Sequence, residues 1–259
     1  MPTQADKARA FAAMHIPGKP LVIYNIWDAG SAKTIEAAGA PALATGSSPL
    51  ATAMGYPDGQ IIPIDTLLMV VARIVASVSV PLSVDFEGGY AIEAAALTAN
   101  TARLIKAGAI GVNFEDQIVG GSGLHSIATQ TARIAAVVAA GDAAGVPLFV
   151  NARTDLFLKA PADQHAALLA EAIERAEAYA KAGASGFFAP GQTDPALISA
   201  LIATTRLPLN LLISPTAAPP ATLAALGAAR LSHGPFPWRA QMAALTLGYH
   251  AATAHQGKS

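Results

Sequence analysis

The feature that most constrains the fold is a repeated unit, in which an alanine-rich helical pattern ends at a glycine and a short apolar segment follows. The unit occurs around Gly39, Gly108 and Gly183, and in a weaker form around Gly227. A glycine in this place fits the left-handed residue that commonly follows a helix, with the strand starting just after it. The unit therefore predicts helices that each lead directly into a strand.

The same alternation continues along the chain and predicts a barrel. We expect amphipathic helices between eight strands, at residues 21–26, 42–45, 82–85, 110–114, 148–152, 186–189, 207–213 and 230–232. Strands that alternate with helices form a parallel sheet, and about eight such units in about 250 residues make a closed (β/α)8 barrel, the TIM barrel. No linker rich in Pro, Gly or Ser divides the chain. We therefore predict a single α/β domain over residues 1–259, with a doubly wound open sheet as the alternative.

Composition and charge exclude several kinds of chemistry and partner. The chain has no cysteine, which excludes disulfides, thiolate metal sites and a thiol nucleophile. A net charge of -1 and a pI near 6.6 argue against nucleic acids and anionic membranes, which need a basic face. Only 13% of residues are charged. Because a typical chain has about 25%, a monomer is short of polar surface, and we expect a homo-oligomer, a dimer or tetramer.

The sequence shows neither a secretion signal nor a membrane segment. The first 20 residues carry scattered charges and no apolar core, and the apolar stretch 67–84 is interrupted by Arg73 and Pro81. We therefore expect a cytoplasmic protein whose partner is a small molecule.

Acidic residues stand where two of the predicted strands end. Asp85 closes the third strand with Glu87 two residues later, so both side chains leave one face of the sheet if the strand continues through them. Glu115 follows the fourth strand. In a barrel these ends meet at one rim, where carboxylates suit a hard cation such as Mg²⁺. Alternatively, each acid caps the helix that follows it.

Further polar residues are predicted at the same rim. Thr45-Gly46-Ser47 offers N–H groups and hydroxyls for a carboxylate or phosphate oxygen, although an ordinary turn has the same composition. Arg153 emerges from the buried fifth strand, so its guanidinium needs an anionic partner, which is Asp155, Glu115 or a substrate. Asn210 lies in the seventh strand.

Two candidates are weak when each is considered alone. Asp58 lies in Gly55-Tyr56-Pro57-Asp58-Gly59, which has the composition of a turn. His125 is a lone histidine in a loop, and such a side chain commonly faces solvent.

As an ordered set, these segments resemble the isocitrate lyase/phosphoenolpyruvate mutase superfamily. The set is Thr45-Gly46-Ser47, Gly55-Tyr56-Pro57-Asp58, Val84-Asp85-Phe86-Glu87-Gly88-Gly89-Tyr90, Phe114-Glu115-Asp116-Gln117, Asn151-Ala152-Arg153-Thr154-Asp155 and Leu209-Asn210. The resemblance implies a (β/α)8 barrel, a bound Mg²⁺, and a 2-oxo acid or its enolate as the reacting species. It also implies that the last helix, within residues 235–259, is exchanged with a neighbouring subunit.

The resemblance assigns a role to each candidate by its position. Asp85 would ligate the metal directly, and Asp58, Glu87 and Glu115 would hold its waters. The substrate would contact Thr45, Gly46, Ser47, Asp85, Arg153 and Asn210. The catalytic groups would be Arg153, His125 and Glu115.

The chain departs from the lyases of this superfamily in three places. Their loop after the fourth strand carries Lys-Arg-Cys-Gly-His, whose Cys donates a proton, whereas this chain has Gly121-Ser122-Gly123-Leu124-His125 and keeps only the histidine. The glutamate typical of strand six is absent from Phe188-Ala189-Pro190-Gly191, and Glu87 replaces the more usual Asp. The absence of the thiol acid argues against efficient cleavage of isocitrate or 2-methylisocitrate, since the departing dianion needs a proton.

These departures leave three hypotheses. The first is a Mg²⁺-dependent carbon–carbon lyase or decarboxylase that acts on a small 2-oxo or 2-hydroxy di- or tricarboxylate, oxaloacetate-like or 2-methylisocitrate-like, through a pyruvate-type enolate. His125 or water would then donate the proton. The second is P–C bond chemistry on phosphonopyruvate or phosphoenolpyruvate. The third is a catalytically impaired barrel that binds a 2-oxo acid, as the loss of the loop Lys, Arg and Cys suggests.

Overall fold

Eight parallel strands form the sheet of the computed structural model, which describes residues 2–254. The strands, β1 to β8 in chain order, are Leu21–Ile23, Leu43–Ala44, Leu82–Asp85, Gly111–Glu115, Phe149–Arg153, Gly186–Phe188, Leu209–Leu212 and Arg230–Ser232. They pair in the order β1-β8-β7-β6-β5-β4-β3-β2, and a parallel bridge between Ile26 and Thr45 joins the two ends of this order. The sheet is a nearly closed barrel. The predicted (β/α)8 TIM barrel is therefore confirmed, and the open sheet is excluded.

Helices follow the strands and cover the barrel. Within the described residues they are α1 (Gln4–Ala13), α2 (Ala29–Ala37), α3 (Ser47–Ala53), α4 (Ile64–Val75), α5 (Ala94–Lys106), α6 (Ile127–Ala143), α7 (Leu169–Lys181), α8 (Pro195–Thr204), α9 (Pro220–Leu226) and α10 (Phe236–Thr253), with a short 3-10 helix at Ala162–Gln164. The four glycines of the repeated unit have φ between +95° and +105°, as predicted. At Gly108 a Cβ atom would also lie 2.6 Å from Cγ1 of Val75, so backbone and packing both require glycine.

The helix α1 closes the end of the barrel opposite to the strand C-termini. The ring of Phe11 contacts the ring of Phe149, the first residue of β5, with 5.3 Å between the centroids, and His15 stacks on Phe149 at 4.1 Å. All three side chains are buried. This packing fills the N-terminal end of the barrel and leaves the C-terminal end available for a ligand.

The buried His15 should make the fold sensitive to acid. Burial and, to a smaller extent, the charge of Arg230 lower the pKa of His15 to about 3. In the unfolded chain the pKa is about 6.5, so below that pH only the unfolded state gains a proton and the free energy of unfolding falls. Between pH 7.5 and pH 5 this histidine should cost about 2 kcal/mol of stability.

Urea unfolding of the wild type and of His15→Phe at both pH values measures this effect. We expect the wild type to lose about 2 kcal/mol more than the variant on acidification. An equal loss in the two proteins would mean that His15 does not remain neutral in the folded state.

The helix α10 leaves the barrel with most of its surface exposed. Only Pro237 of this helix is buried, whereas Leu245, Leu247 and Tyr249 are each about two-thirds exposed. Exchange of the segment 235–259 between subunits stays a prediction, and residues 255–259 lie outside the described part of the chain. No helix among residues 2–254 has the length and apolar character needed to cross a membrane.

Candidate active site

Two adjoining cavities open at the C-terminal ends of the strands, with volumes of about 320 and 410 Å³. They share four lining residues, Ser47, Asp58, Arg153 and Leu158. The smaller cavity also reaches Asp85, and the larger one reaches Glu87 and Glu115. The barrel therefore brings all four predicted metal-binding carboxylates to one opening.

Asp85, the last residue of β3, has one carboxylate oxygen bound and one free. Its Oδ2 accepts a hydrogen bond of 3.2 Å from the backbone N–H of Ser47, and its own backbone N–H donates to Oγ1 of Thr45 at 2.9 Å. Its Oδ1 is buried and has no hydrogen-bond partner among the described residues. A buried acceptor without a partner costs free energy unless a ligand engages it. This oxygen fits a direct metal ligand.

Glu87 reaches the rim by a different backbone route from the one predicted. The strand ends at Asp85, and Glu87 has a left-handed backbone with φ of +50°, so the alternation of an extended strand does not place these two side chains. Two hydrogen bonds fix Glu87 instead. Its Oε2 accepts from the backbone N–H of Gln60 at 2.9 Å, and its carbonyl oxygen accepts from the backbone N–H of Glu115 at 3.0 Å.

Arg153 has the anionic partners that the sequence requires. It ends β5 beside Glu115 in the β4–β5 ladder, and its Nη1 lies 3.1 Å from Oε2 of Glu115. Its Nε and Nη2 donate to the two oxygens of Asp155 at 2.5 and 2.9 Å. The side chain is 17% exposed and lines both cavities. Two carboxylates therefore fix the guanidinium in place while part of it faces the cavities.

Burial and the neighbouring negative charges raise the pKa values of the clustered acids. Burial raises the pKa of Glu87 to about 8, with smaller contributions from the charges of Asp85 and Glu115. Burial also raises the pKa of Asp85 and of Glu115, against the opposing charge of Arg153. Glu115 and Asp155 in turn raise the pKa of Arg153, although burial acts in the other direction. Carboxylates in such surroundings favour a cation that neutralises them.

The geometry fits a metal held mainly through water. Within residues 2–254, no three acidic or histidine side chains are close enough to ligate one ion directly. A divalent ion can therefore take Asp85 as its direct ligand and reach the other three carboxylates through water molecules. Mg²⁺ usually keeps several waters and binds one or two carboxylates, so it suits this arrangement.

The predicted substrate-binding residues lie at different depths. Gly46 and Ser47 line the smaller cavity, whereas Thr45 is buried behind them with its hydroxyl on the backbone of Asp85. Asn210 lies below the cavity floor, where its Oδ1 accepts from Oγ of Ser232, a residue that lines the cavity. The structure therefore brings Gly46 and Ser47 to the opening but not Thr45 or Asn210.

His125 lies outside the two carboxylate cavities. It lines a third cavity of about 360 Å³ together with Tyr90 and Arg133, and this cavity shares Gly59 and Gln117 with the larger carboxylate cavity. Its backbone N–H donates to the carbonyl oxygen of Asp116 at 2.8 Å, and its carbonyl oxygen accepts from Arg175 at 3.0 Å. The structure does not bring His125 to the carboxylates, and its role as proton donor stays a prediction.

One supporting residue was quoted in the sequence motif without a role. Asp116 is fully buried, and it accepts hydrogen bonds from the backbone N–H of Asp155 at 2.9 Å, from the hydroxyl of Tyr179 at 2.8 Å and from Arg175 at 3.2 Å. Asp116 thereby holds Asp155, whose carboxylate in turn holds Arg153. Asp116 could have been suspected of a role because it follows Glu115 in the sequence. Nothing in the sequence indicated its two partners on α7, Arg175 and Tyr179.

Comparison with known proteins shows the family of the chain. Residues 11–252 match the family model described as phosphoenolpyruvate phosphomutase. The chain belongs to this family. Membership of the isocitrate lyase/phosphoenolpyruvate mutase superfamily, which the motifs indicated, is therefore confirmed.

Three members of the superfamily are similar over most of the chain. A Burkholderia cenocepacia structure, provisionally described as a phosphonomutase, is 42% identical with a TM-score of 0.93, over 98% of this chain and all of that one. The 2-methylisocitrate lyase of Escherichia coli K12 is 31% identical over 78% of this chain and 68% of its own. A phosphonopyruvate hydrolase, solved in complex with oxalate and Mg²⁺, is 26% identical with a TM-score of 0.84, over 97% and 88% of the two chains.

These relatives establish the general class of the protein. The superfamily consists of Mg²⁺-dependent enzymes and includes lyases. Its members act on different substrates, which include methylisocitrate, dimethylmalate and phosphonopyruvate. The particular reaction of this phosphoenolpyruvate mutase family member has to be argued from its own residues.

Proposed function

We propose that the protein is a Mg²⁺-dependent carbon–carbon lyase or decarboxylase, which acts on a small 2-oxo or 2-hydroxy di- or tricarboxylate through a pyruvate-type enolate. The observation that supports this most directly is the pairing of two groups at one cavity. Asp85, which has an unpartnered carboxylate oxygen, and Arg153, whose guanidinium is fixed by two carboxylates, both line it. A cation and a guanidinium at one site suit a substrate oxygen that becomes negative.

The metal is proposed to bind Asp85 directly and the other three carboxylates through water. When bound, Mg²⁺ supplies a Lewis acid that polarises substrate oxygen atoms. The backbone N–H of Ser47 keeps the Asp85 carboxylate oriented, and the Thr45 hydroxyl holds the same residue from behind. Asp85 is therefore already positioned before any ligand arrives.

Within Thr45-Gly46-Ser47, the side chain of Ser47 is best placed to bind the substrate carboxylate. The hydroxyl of Thr45 accepts from the backbone of Asp85, and the backbone N–H of Gly46 donates to the carbonyl oxygen of Ile26 at 3.1 Å. Both of these groups are therefore engaged within the protein. Ser47 lines the cavity, and its hydroxyl can donate to a substrate oxygen.

Arg153 is proposed to stabilise the negative charge that develops on the substrate. Because Glu115 and Asp155 hold its guanidinium on two sides, it needs little reorganisation when the substrate binds. Arg153 also lines both cavities and is partly exposed there, which supports a role in binding the substrate in addition to a structural one.

The rest of the smaller cavity favours a leaving group that needs no proton. Its wall includes Leu158, Phe188, Pro190 and Leu212. No acid occupies the strand-six position, and His125 lines another cavity. Carbon dioxide departs without a proton, and water can protonate the enolate that remains. Decarboxylation of an oxo-diacid therefore places the smallest demand on these residues.

P–C bond chemistry on phosphonopyruvate or phosphoenolpyruvate is the second candidate. It is supported by the similarity to the provisional phosphonomutase and to the phosphonopyruvate hydrolase. Arg153 and the proposed metal would then face a phosphonate in addition to a carboxylate.

The proposed oligomer explains the exposed face of α10. Leu245, Leu247 and Tyr249 are apolar side chains that a neighbouring barrel would cover. We propose that this helix is exchanged in a homo-oligomer. Light scattering coupled to size-exclusion chromatography should give a mass of at least twice 26.2 kDa.

A substrate panel tests the proposed function. Release of pyruvate, glyoxylate or CO₂ is measured with Mg²⁺ on oxaloacetate, 2-methylisocitrate and related 2-hydroxy diacids, and phosphorus NMR follows phosphonopyruvate and phosphoenolpyruvate. We expect turnover on a carboxylate substrate that EDTA abolishes and added Mg²⁺ restores. Because free Mg²⁺ accelerates oxaloacetate decarboxylation by itself, Asp85→Asn at the same Mg²⁺ concentration is the control.

Each outcome of the panel has one meaning. Turnover of a phosphorus compound alone would favour the second candidate. Binding of 2-oxo acids with no turnover would favour the impaired barrel. Carboxylate turnover that persists in EDTA would contradict the proposed metal site.

A further inference from the structure

A buried arginine on α6 has no role in the site described so far. Arg133 is 3% exposed, and within residues 2–254 it forms no ion pair with a carboxylate. Its guanidinium lies 4.9 Å from the ring centroid of Phe114. A buried guanidinium is costly without compensating bonds, so its contacts show what it stabilises.

The bonds of Arg133 go to the main chain beside two metal-site acids. Its Nη2 donates to the carbonyl oxygens of Gly88 at 2.6 Å and Ala91 at 3.3 Å. Its Nη1 donates to Gln130 and, more weakly, to the carbonyl oxygen of Glu115 at 3.5 Å. The side-chain amide of Gln130 donates to that same Glu115 oxygen at 3.1 Å. One helix therefore binds both the turn after β3 and the end of β4.

The turn that Arg133 binds has a strained backbone. Glu87 and Tyr90 have φ of +50° and +57°, a region that costs side-chain-bearing residues free energy. Such conformations persist where surrounding bonds hold them. The Glu115 N–H bond to the Glu87 carbonyl is one restraint, and the two carbonyls held by Arg133 are others.

We propose that Arg133, supported by Gln130, is a positioning residue that holds Glu87 and Glu115 in the arrangement needed to bind the waters of the metal. This rests on the proposed function, because it assumes that those carboxylates serve a metal. Arg133 lines neither of the two carboxylate cavities, so it would act through Glu87 and Glu115. Groups of this kind commonly change metal affinity or activity by about 10- to 100-fold.

The test measures Mn²⁺ binding, by EPR or calorimetry, and steady-state kinetics in the wild type and four variants. Arg133→Met keeps the length of the side chain and removes its donors, and Arg133→Lys keeps one charged donor. Gln130→Met removes the second contact to Glu115. Arg103→Met is the matched control, because that arginine is exposed and pairs with Asp65 on the surface of the barrel.

We expect Arg133→Met to weaken Mn²⁺ binding and lower kcat by about 10-fold or more, with KM changed by less than about 3-fold. Arg133→Lys and Gln130→Met should each weaken Mn²⁺ binding by a smaller factor, and the control should match the wild type. A purely structural role would lower the unfolding temperature and leave Mn²⁺ affinity unchanged.

The outcomes separate this inference from the proposed function. If the wild type binds no Mn²⁺, the proposed metal site is wrong. If the wild type binds Mn²⁺ and the Arg133 and Gln130 variants bind it equally well, the positioning role is wrong. If Arg133→Met does not fold, Arg133→Lys and Gln130→Met decide by the same criterion.

Discussion

Replacing Asp85 with asparagine is expected to lower Mg²⁺-dependent kcat/KM by at least about 10³-fold. Asparagine has nearly the same shape, and its oxygen can still accept the Ser47 N–H bond, which is 3.2 Å long in the wild type. It loses the negative charge on the buried oxygen that has no partner among the described residues. Since no three acidic or histidine side chains among residues 2–254 can ligate one ion together, the loss of charge at Asp85 removes the proposed direct ligand.

The same substitution should not weaken the fold. Burial raises the pKa of Asp85, which means that its ionised form is unfavourable in the metal-free protein. The neutral amide avoids that cost, so the unfolding temperature without metal should stay the same or rise. Asp142→Asn, on the exposed face of α6, is the matched control and should leave activity unchanged. Wild-type kinetics in Asp85→Asn would refute the assignment of this residue.

Replacing Arg153 with methionine is expected to damage both activity and stability. Activity should fall by about 10²- to 10³-fold, because the fixed donors at the cavity are lost. The substitution also leaves two buried carboxylates without their cation, which typically costs about 3–5 kcal/mol. Urea unfolding and kcat/KM measure the two losses separately. Arg153→Lys should retain more stability than activity, since a lysine keeps the charge but cannot bind Asp155 through two parallel bonds.

A second substitution can separate the two effects. In Arg153→Met with Asp155→Asn, a neutral amide replaces one of the two carboxylates that lost their cation, so part of the lost stability should return. Activity should not return, because the guanidinium is still absent. If activity recovered together with stability, the role of Arg153 would be structural only.

The strands and helix ends were predictable because their signals are local. A glycine after a helix and a short apolar segment after that glycine lie within a few residues of each other. This pattern placed four of the eight strands, and apolar segments between helical stretches placed the other four. Strand lengths were less accurate. The first strand was predicted at residues 21–26 but ends at Ile23. Beyond it the side chain of Asn25 bonds to the carbonyl of Thr45 and the N–H of Gly234, contacts from distant segments that no local pattern reveals.

The candidate site was predictable to the extent that strand ends meet. Asp85, Glu115 and Arg153 end neighbouring strands, so barrel geometry alone brings them together. The residues that hold these three side chains in place could not be predicted in this way. Arg175 has Glu171 four residues before it and has the pattern of an ordinary surface pair, yet it also reaches the buried Asp116, which is 59 residues away in sequence.

Arg133 illustrates the same limit. It lies in an amphipathic helix as a single basic residue, a pattern typical of a solvent-exposed position. Its burial follows from the packing of α6 against the turn after β3, 45 residues earlier in the chain. Thr45 was predicted to face the substrate but is buried. Its hydroxyl accepts a hydrogen bond from the backbone N–H of Asp85 instead.

A crystal structure with Mn²⁺ and oxalate would show directly whether Asp85 ligates the metal. Oxalate resembles the enolate of pyruvate, and it occupies the related phosphonopyruvate hydrolase together with Mg²⁺. We expect one anomalous Mn²⁺ peak in contact with Oδ1 of Asp85, with oxalate between the ion and Arg153. A cavity without Mn²⁺, or an ion bound away from Asp85, would contradict it.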